Sequence, residues 1–217
     1  QSTLPLAVFA ASMVLASPVH AGYSSVVAVG SIQPALGCAD GAMDCAATQL
    51  ELRDGLWRKA LAPLPGGTFT YRIAALDATT TTFGQNGVID GTPIALNLPV
   101  AGPVKLYFEP SEHAILDTHN NVIAVAAGSF QSELGCPGDW QPDCLRSLVF
   151  DPDGDGRYER RLAGLPAGTY EAKAALNESW AESYGTGGSP SGTNISFAGP
   201  PDPFVPVYAR FIAATHL

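Results

Sequence analysis

The sequence is poor in charge. Asp, Glu, Lys and Arg make up 14% of its 217 residues, and Lys plus Arg number 11 against 20 Asp plus Glu. The formal net charge of −9 removes the attraction to phosphate on which nucleic-acid binders depend. Neither nucleic acid nor an anionic membrane surface is an expected partner. The motifs of catalysis are missing as well: there is no G-x-S-x-G elbow, no H-E-x-x-H, no P-loop and no dinucleotide fingerprint. The carboxylates cannot be paired into an acid and a base from spacing alone. No catalytic residue, no cofactor and no metal are therefore assigned, and the chain is read as a non-enzyme. Beyond the N-terminus no window carries apolar residues at i, i+3, i+4 and i+7, which excludes amphipathic helices as the main elements. Hydrophobic residues are nonetheless 46% of the chain, enough for a packed core, and the 23 Gly and 18 Pro supply many turns.

Residues 4–16, LPLAVFAASMVLA, are an apolar run followed by Ser17-Pro18-Val19-His20-Ala21. The run is too short to span a bilayer, and the small residues after it suit signal peptidase, so 1–21 is read as a signal peptide cleaved before Gly22. Its basic leading region and initiator Met are absent, so the sequence is expected to begin inside a longer reading frame. The mature chain is expected to be secreted, extracellular or periplasmic, and free of the membrane once the signal is removed. Four Cys fit that compartment. They allow three connectivities. Their position in a repeat, described next, favours Cys38–Cys45 and Cys136–Cys144, each closing a short loop for roughly 2–3 kcal/mol. A zinc site is disfavoured because His113, His119 and His216 have no companion at ligand spacing.

The chain is written twice. VAVGSIQPALGC ending at Cys38 matches AVAAGSFQSELGC ending at Cys136. Leu64-Pro65-Gly66-Gly67-Thr68-Phe69 matches Leu165-Pro166-Ala167-Gly168-Thr169-Tyr170, and Phe83-Gly84 matches Tyr184-Gly185. Ala74-Ala75-Leu76-Asp77 is aligned with Ala174-Ala175-Leu176-Asn177. Two homologous modules follow, 22–117 and 122–217, joined by the short polar linker His119-Asn120-Asn121, which suggests a tight junction. Inside each module the apolar period is two, as in Phe69, Tyr71 and Ile73, and Gly/Pro clusters fall at strand spacing. The expected fold class is all-β: two tandem immunoglobulin-like antiparallel β-sandwiches of six or seven short strands each, after a signal peptide.

The informative side chains lie in the second copy. Trp180 and Tyr184 stand in the loop Asn177-Glu178-Ser179-Trp180-Ala181-Glu182-Ser183-Tyr184, and Trp140 in the loop 136–144. Large aromatics in Gly-, Ser- and Asn-rich loops either fold over the core or meet a flat ligand. A pyranose offers an apolar C–H face to such rings and a hydroxyl rim to Lys173, Asn177 and Glu182. The bland alternative is that Trp180 plugs one end of the sandwich. Asp151, Asp153 and Asp155 alternate like half of a calcium loop, but the twelfth position is Leu162, and a hairpin turn is the favoured reading.

The blocks GSFQSELGCPGDWQPDC, DPDGDGRYE, LPAGTYEAKAALNESW and ESYGTGG resemble the immunoglobulin-like accessory module of bacterial pullulanases and amylopullulanases. More loosely, they are similar to starch-binding modules of outer-membrane starch-utilisation proteins. The resemblance implies a noncatalytic region that binds α-glucan (starch or pullulan) beside a downstream glycosidase domain in the same chain. A structural spacer or protein-docking role is the alternative. The chain departs from the pattern at Ala181 and Ser183. Val205-Pro206-Val207-Tyr208-Ala209 departs from the last strand, where Pro206 implies a frayed edge. The first copy has no Trp around Thr79 to Phe83, carries Asp77 for Asn177, and has Ala42-Met43 where Trp140 falls, so binding is expected in the second copy.

Overall fold

The computed structural model describes residues 22–217, so the segment read as a signal peptide lies outside the described residues. Period-two patterning produces strands, and the strand pairs among the described residues are antiparallel. Helix is confined there to Ile32–Ala35 and three 3-10 turns.

The first copy contains β1 (Ser25–Val29), β2 (Gln49–Arg53), β3 (Leu56–Ala60), β4 (Gly67–Leu76), β5 (Thr80–Phe83), β6 (Ile94–Leu98), β7 (Lys105–Glu109) and β8 (Ala114–Asp117). They form one sheet in the order β5-β4-β1-β2-β3-β7-β8, with β6 also pairing β4. The sheet folds over so that Val26, Tyr71 and Ile73 share a core with Trp57, Leu106 and Phe108. Each such burial contributes roughly 1.5–3 kcal/mol. The second copy contains β9 (Ala124–Gly128), β10 (Arg157–Leu162), β11 (Thr169–Leu176), β12 (Ser183–Tyr184), β13 (Ile195–Ala198) and β14 (Val207–Ile212). Here β11 pairs with β9, β12 and β13, while β10 and β14 form a separate ribbon.

Register corrects the repeat alignment. Ile73 lies opposite Phe83 and Tyr71 opposite Ile94; Ala174 lies opposite Tyr184 and Ala172 opposite Ile195. The two copies therefore run without a gap through this stretch, and the counterpart of Asp77 is Glu178, not Asn177. Trp180 stands where the first copy has Thr79. Runs of alanine let an alignment slide by one residue, but a pleated strand does not, because one step moves every side chain to the other face.

The C-terminal expectation is also corrected. Phe108 pairs with Trp57 and Phe211 with Tyr158, so Val104 corresponds to Val207 and Pro206 falls just before β14. All six residues of β14 pair with β10, and no ladder donor is lost. The repeat continues to the histidines: His113 packs on Phe83 at 4.5 Å between ring centroids, and His216 stacks on Tyr184 at 3.9 Å and 9°. The same register places Ala172, Ala174 and Ala209 where the first copy has Tyr71, Ile73 and Leu106. These smaller residues line an apolar cavity of about 320 Å³ between the two sheets of the second copy.

The junction is a packed interface. Leu56, Tyr107, Ala114 and Leu116 of the first copy are buried in one cluster with Ile123, Val125, Leu145, Leu148, Phe150 and Ala175 of the second. Asp117 organises the linker: its carboxylate accepts from the N–H groups of His119 (2.9 Å) and Asn120 (2.7 Å) and from the Tyr71 hydroxyl at 2.8 Å. Burial, with Asp117 beside it, pushes the Tyr71 phenol well above its ordinary value, and burial with the Glu178 hydrogen bond does the same to Tyr107. A phenol raised on folding contributes stability that is present below about pH 10 and lost as pH rises toward its folded value. In an alkaline titration of phenolate absorbance, two of the seven tyrosines are expected to ionise only as the chain unfolds. Tyr71→Phe and Tyr107→Phe together should remove that late phase. Seven tyrosines titrating on one ordinary curve would contradict this account.

Candidate functional site

Trp140 and Trp180 come together. They are carried by separate loops, yet their ring centroids lie 6.3 Å apart at 42°. Trp180 is 41% exposed and Trp140 half-buried, so the pair forms an open aromatic surface rather than a plug.

The Trp140 loop is closed by the disulfide Cys136–Cys144, and Cys38–Cys45 closes the corresponding loop of the first copy, as the repeat suggested. A buried glutamine braces each loop from inside. Gln131 donates to the Gln141 carbonyl at 2.9 Å and to Ser147 at 3.0 Å; Gln33 donates to the Ala42 carbonyl at 2.6 Å and to Thr48 at 3.2 Å. Gln141 thus corresponds to Ala42, and Trp140 to Gly41 rather than to Ala42-Met43. Gly41 has φ 76° and Trp140 has φ 57°. A left-handed backbone is easy for Gly and costs a bulky residue on the order of 1–2 kcal/mol, so the second copy carries an indole at a position built for glycine.

The Trp180 loop leaves β11 through two further left-handed residues, Asn177 (φ 56°) and Glu178 (φ 58°). The Asn177 N–H donates to the Ile123 carbonyl at 2.8 Å, and its side chain is exposed. Glu178 turns inward, with its side chain only 6% exposed. No local spacing in the sequence singles out Glu178, because its correspondence to Asp77 depends on the strand register.

The other expected residues do not all join this surface. Lys173 lies opposite Ala127 on β9 and shares the face on which Ala127, Ala175 and Leu145 pack, the side that carries the Trp140 loop. Tyr184 lies opposite Ala174 and therefore points to the other face, where it is 8% exposed against Phe211 and His216. Its hydroxyl donates to Glu182 at 2.6 Å, a bond that raises the phenol above its ordinary value and commits Glu182 to the Tyr184 side. The expected set is thus divided: Trp140 and Trp180 pack on each other, Lys173 faces away from Tyr184 by strand alternation, and Asn177 lines one pocket with Glu182, Phe211 and His216 on the Tyr184 side.

Asp151, Asp153 and Asp155 bring carboxylate oxygens within 4.8 Å of one another. Asp151 already accepts from the N–H groups of Gly154, Asp155 and Gly156 at 2.9–3.1 Å. That is the hydrogen bonding of a closed turn leading into β10, with Gly154 and Gly156 in the left-handed region.

A duplicated, disulfide-closed antiparallel fold, whose second copy carries an exposed pair of Trp rings, defines a tandem β module. The chain belongs to the pullulanase X25 domain family, whose model matches residues 25–115 and again 123–210. It is 28% identical over 195 residues to an amylopullulanase of Thermoanaerobacterium saccharolyticum, covering 83% of this chain and 15% of that protein. It is also 28% identical over 188 residues to an amylopullulanase of Thermoanaerobacterium thermosulfurigenes, covering 82% and 10%. The chain thus spans only a small part of these relatives, in which the matching region is an accessory segment. The solved pullulanase from Bacillus acidopullulyticus matches 45% of this chain and 11% of its own at 33% identity, with a TM-score of 0.38.

Proposed function

We propose that this region is a noncatalytic α-glucan-binding accessory of a secreted amylolytic or debranching enzyme, and that its second copy does the binding. The observation that carries the reading is the exposed Trp140–Trp180 pair, one member of which is held in a left-handed backbone where the sister copy has Gly41. Strain retained at a single copy of a repeat points to function rather than folding, because the other copy folds without it. Two tilted indoles 6.3 Å apart match successive sugar faces along a curved glucan chain, with Lys173 as a hydrogen-bond donor on the same face of β11 as the side that carries the Trp140 loop. The chemistry of the relatives, named as amylopullulanases, supplies starch and pullulan as the substrate class. It also supports a glycosidase domain elsewhere in the same polypeptide, and the two disulfides fit export.

Binding through one small platform is expected to be weak, because ordering a flexible polysaccharide offsets much of the stacking gain. Affinity electrophoresis tests the reading: the chain should be retarded in gels containing soluble starch or pullulan relative to gels without them. A spacer or docking role is the competing reading, favoured by Phe204 and Val205, which are 77% and 52% exposed. Equal mobility with and without glucan would decide for it.

A further inference from the structure

The first copy has no aromatic platform, yet its β2–β3 hairpin and β7 reach both Trp-bearing loops of the second. At the hairpin turn, Arg53 Nη2 meets Asp143 Oδ2 at 3.0 Å and Asp54 accepts from the Leu145 N–H at 3.4 Å. Asp143 belongs to the disulfide loop of Trp140, and Leu145 follows it directly. Further along β3, Arg58 Nη1 lies 2.9 Å from Glu178 Oε2, and from β7 Lys105 Nζ lies 3.4 Å from the same oxygen. The Tyr107 hydroxyl, also on β7, donates to Glu178 Oε1. Glu178 is two residues from Trp180. Between these two polar anchors lies the apolar seal of Leu56 and Tyr107 on Leu145 and Ala175.

We infer that the first copy is a positioning clamp: Arg53 and Asp54 hold the Trp140 loop, while Arg58, Lys105 and Tyr107 hold Glu178, and together they set the spacing of Trp140 and Trp180. Within the second copy the two loops are joined only through backbone, the Trp140 N–H donating to the Gly128 carbonyl at the end of β9 and β9 pairing with β11, and the first copy adds the side-chain holds on both loops. The carboxylate of Glu178 is taken out of water against two cations and a phenol, which ties it to the first copy; a buried charge left without its partners is strongly disfavoured. Its left-handed backbone, and that of Asn177, is held in place by the same anchor. Arg53, Asp54, Arg58, Lys105 and Tyr107 are positioning residues, since none of them belongs to the aromatic surface. The inference rests on the α-glucan reading for its purpose and not for its geometry.

The test uses the full chain with Glu178→Ala, Glu178→Gln and Arg53→Ala, read by acrylamide quenching of Trp fluorescence, near-UV circular dichroism and retardation in starch gels. Trp57, at 9% exposed, contributes little to quenching, so the signal reports Trp140 and Trp180. Glu178→Ala should raise quenching, flatten the near-UV signal and weaken glucan binding about tenfold. Glu178→Gln keeps one acceptor oxygen, which can serve Tyr107 or Arg58 but not both, and it removes the charge, so it should fall between Glu178→Ala and the wild type. Arg53→Ala, at an exposed pair, should move the same readouts less, and these two variants decide the matter if Glu178→Ala does not fold. Wild-type Trp signals or wild-type retardation in a folded Glu178→Ala chain would overturn the clamp. A wild-type chain that no glucan retards removes the binding reading and leaves the Trp signals to judge the clamp alone.

Discussion

Replacing Trp180 by Ala is expected to abolish retardation in starch or pullulan gels while leaving the unfolding midpoint close to that of the wild type. Trp180 is the more exposed of the paired indoles, so its removal deletes half of the platform and opens no internal cavity. Truncating a central aromatic anchor removes on the order of 2 kcal/mol or more of binding, a loss of about thirtyfold from an affinity already weak. Tyr184→Phe is the matched control. It deletes a hydroxyl that bonds Glu182 on the opposite face of the sheet, and it should leave retardation unchanged. Equal losses in both variants would mean that the ligand enters from the Tyr184 side, against the division of the site described above.

The second large effect concerns stability. Phe150 is 1% exposed in the cluster shared by the two copies, with the Arg160 guanidinium carbon 5.0 Å from its ring centroid. Phe150→Ala should cost about 3–5 kcal/mol, the range for deleting a buried phenyl ring. At roughly 2–4 °C per kcal/mol for a chain of this size, the midpoint should fall by about 6–20 °C. Because the cluster that holds Phe150 also holds Leu56, Tyr107 and Leu116 of the first copy, scanning calorimetry should show one transition moving as a whole. Two transitions, of which only one shifts, would mean that the copies fold independently and that the shared cluster contributes little.

Much of this fold is legible in the sequence because a half-buried strand advertises itself by alternation and a duplication by ordered matches. The loop disulfides could be read the same way, since Cys38 with Cys45 and Cys136 with Cys144 occupy corresponding places. What escaped reading is information that only pairing creates. The counterpart of Trp140 is Gly41 because Gln33 and Gln131 brace their loops alike, and that of Glu178 is Asp77 because the β4–β5 and β11–β12 registers coincide. Pro206 looked like a strand breaker because β14 was placed two residues too early; in the fold it precedes the ladder. Tyr184 drew attention as a loop aromatic, but its place opposite Ala174 turns it inward. The contact of Glu178 with Arg58 and Tyr107 joins residues far apart in the chain, and no local spacing encodes it.

The most direct measurement is a crystal structure of this chain with a linear malto-oligosaccharide. The proposed reading expects glucose rings lying flat on the indoles of Trp140 and Trp180, with hydroxyls within hydrogen-bond reach of Lys173. A sugar seated elsewhere, or crystals that stay empty at ligand concentrations saturating for weak binders, would contradict it.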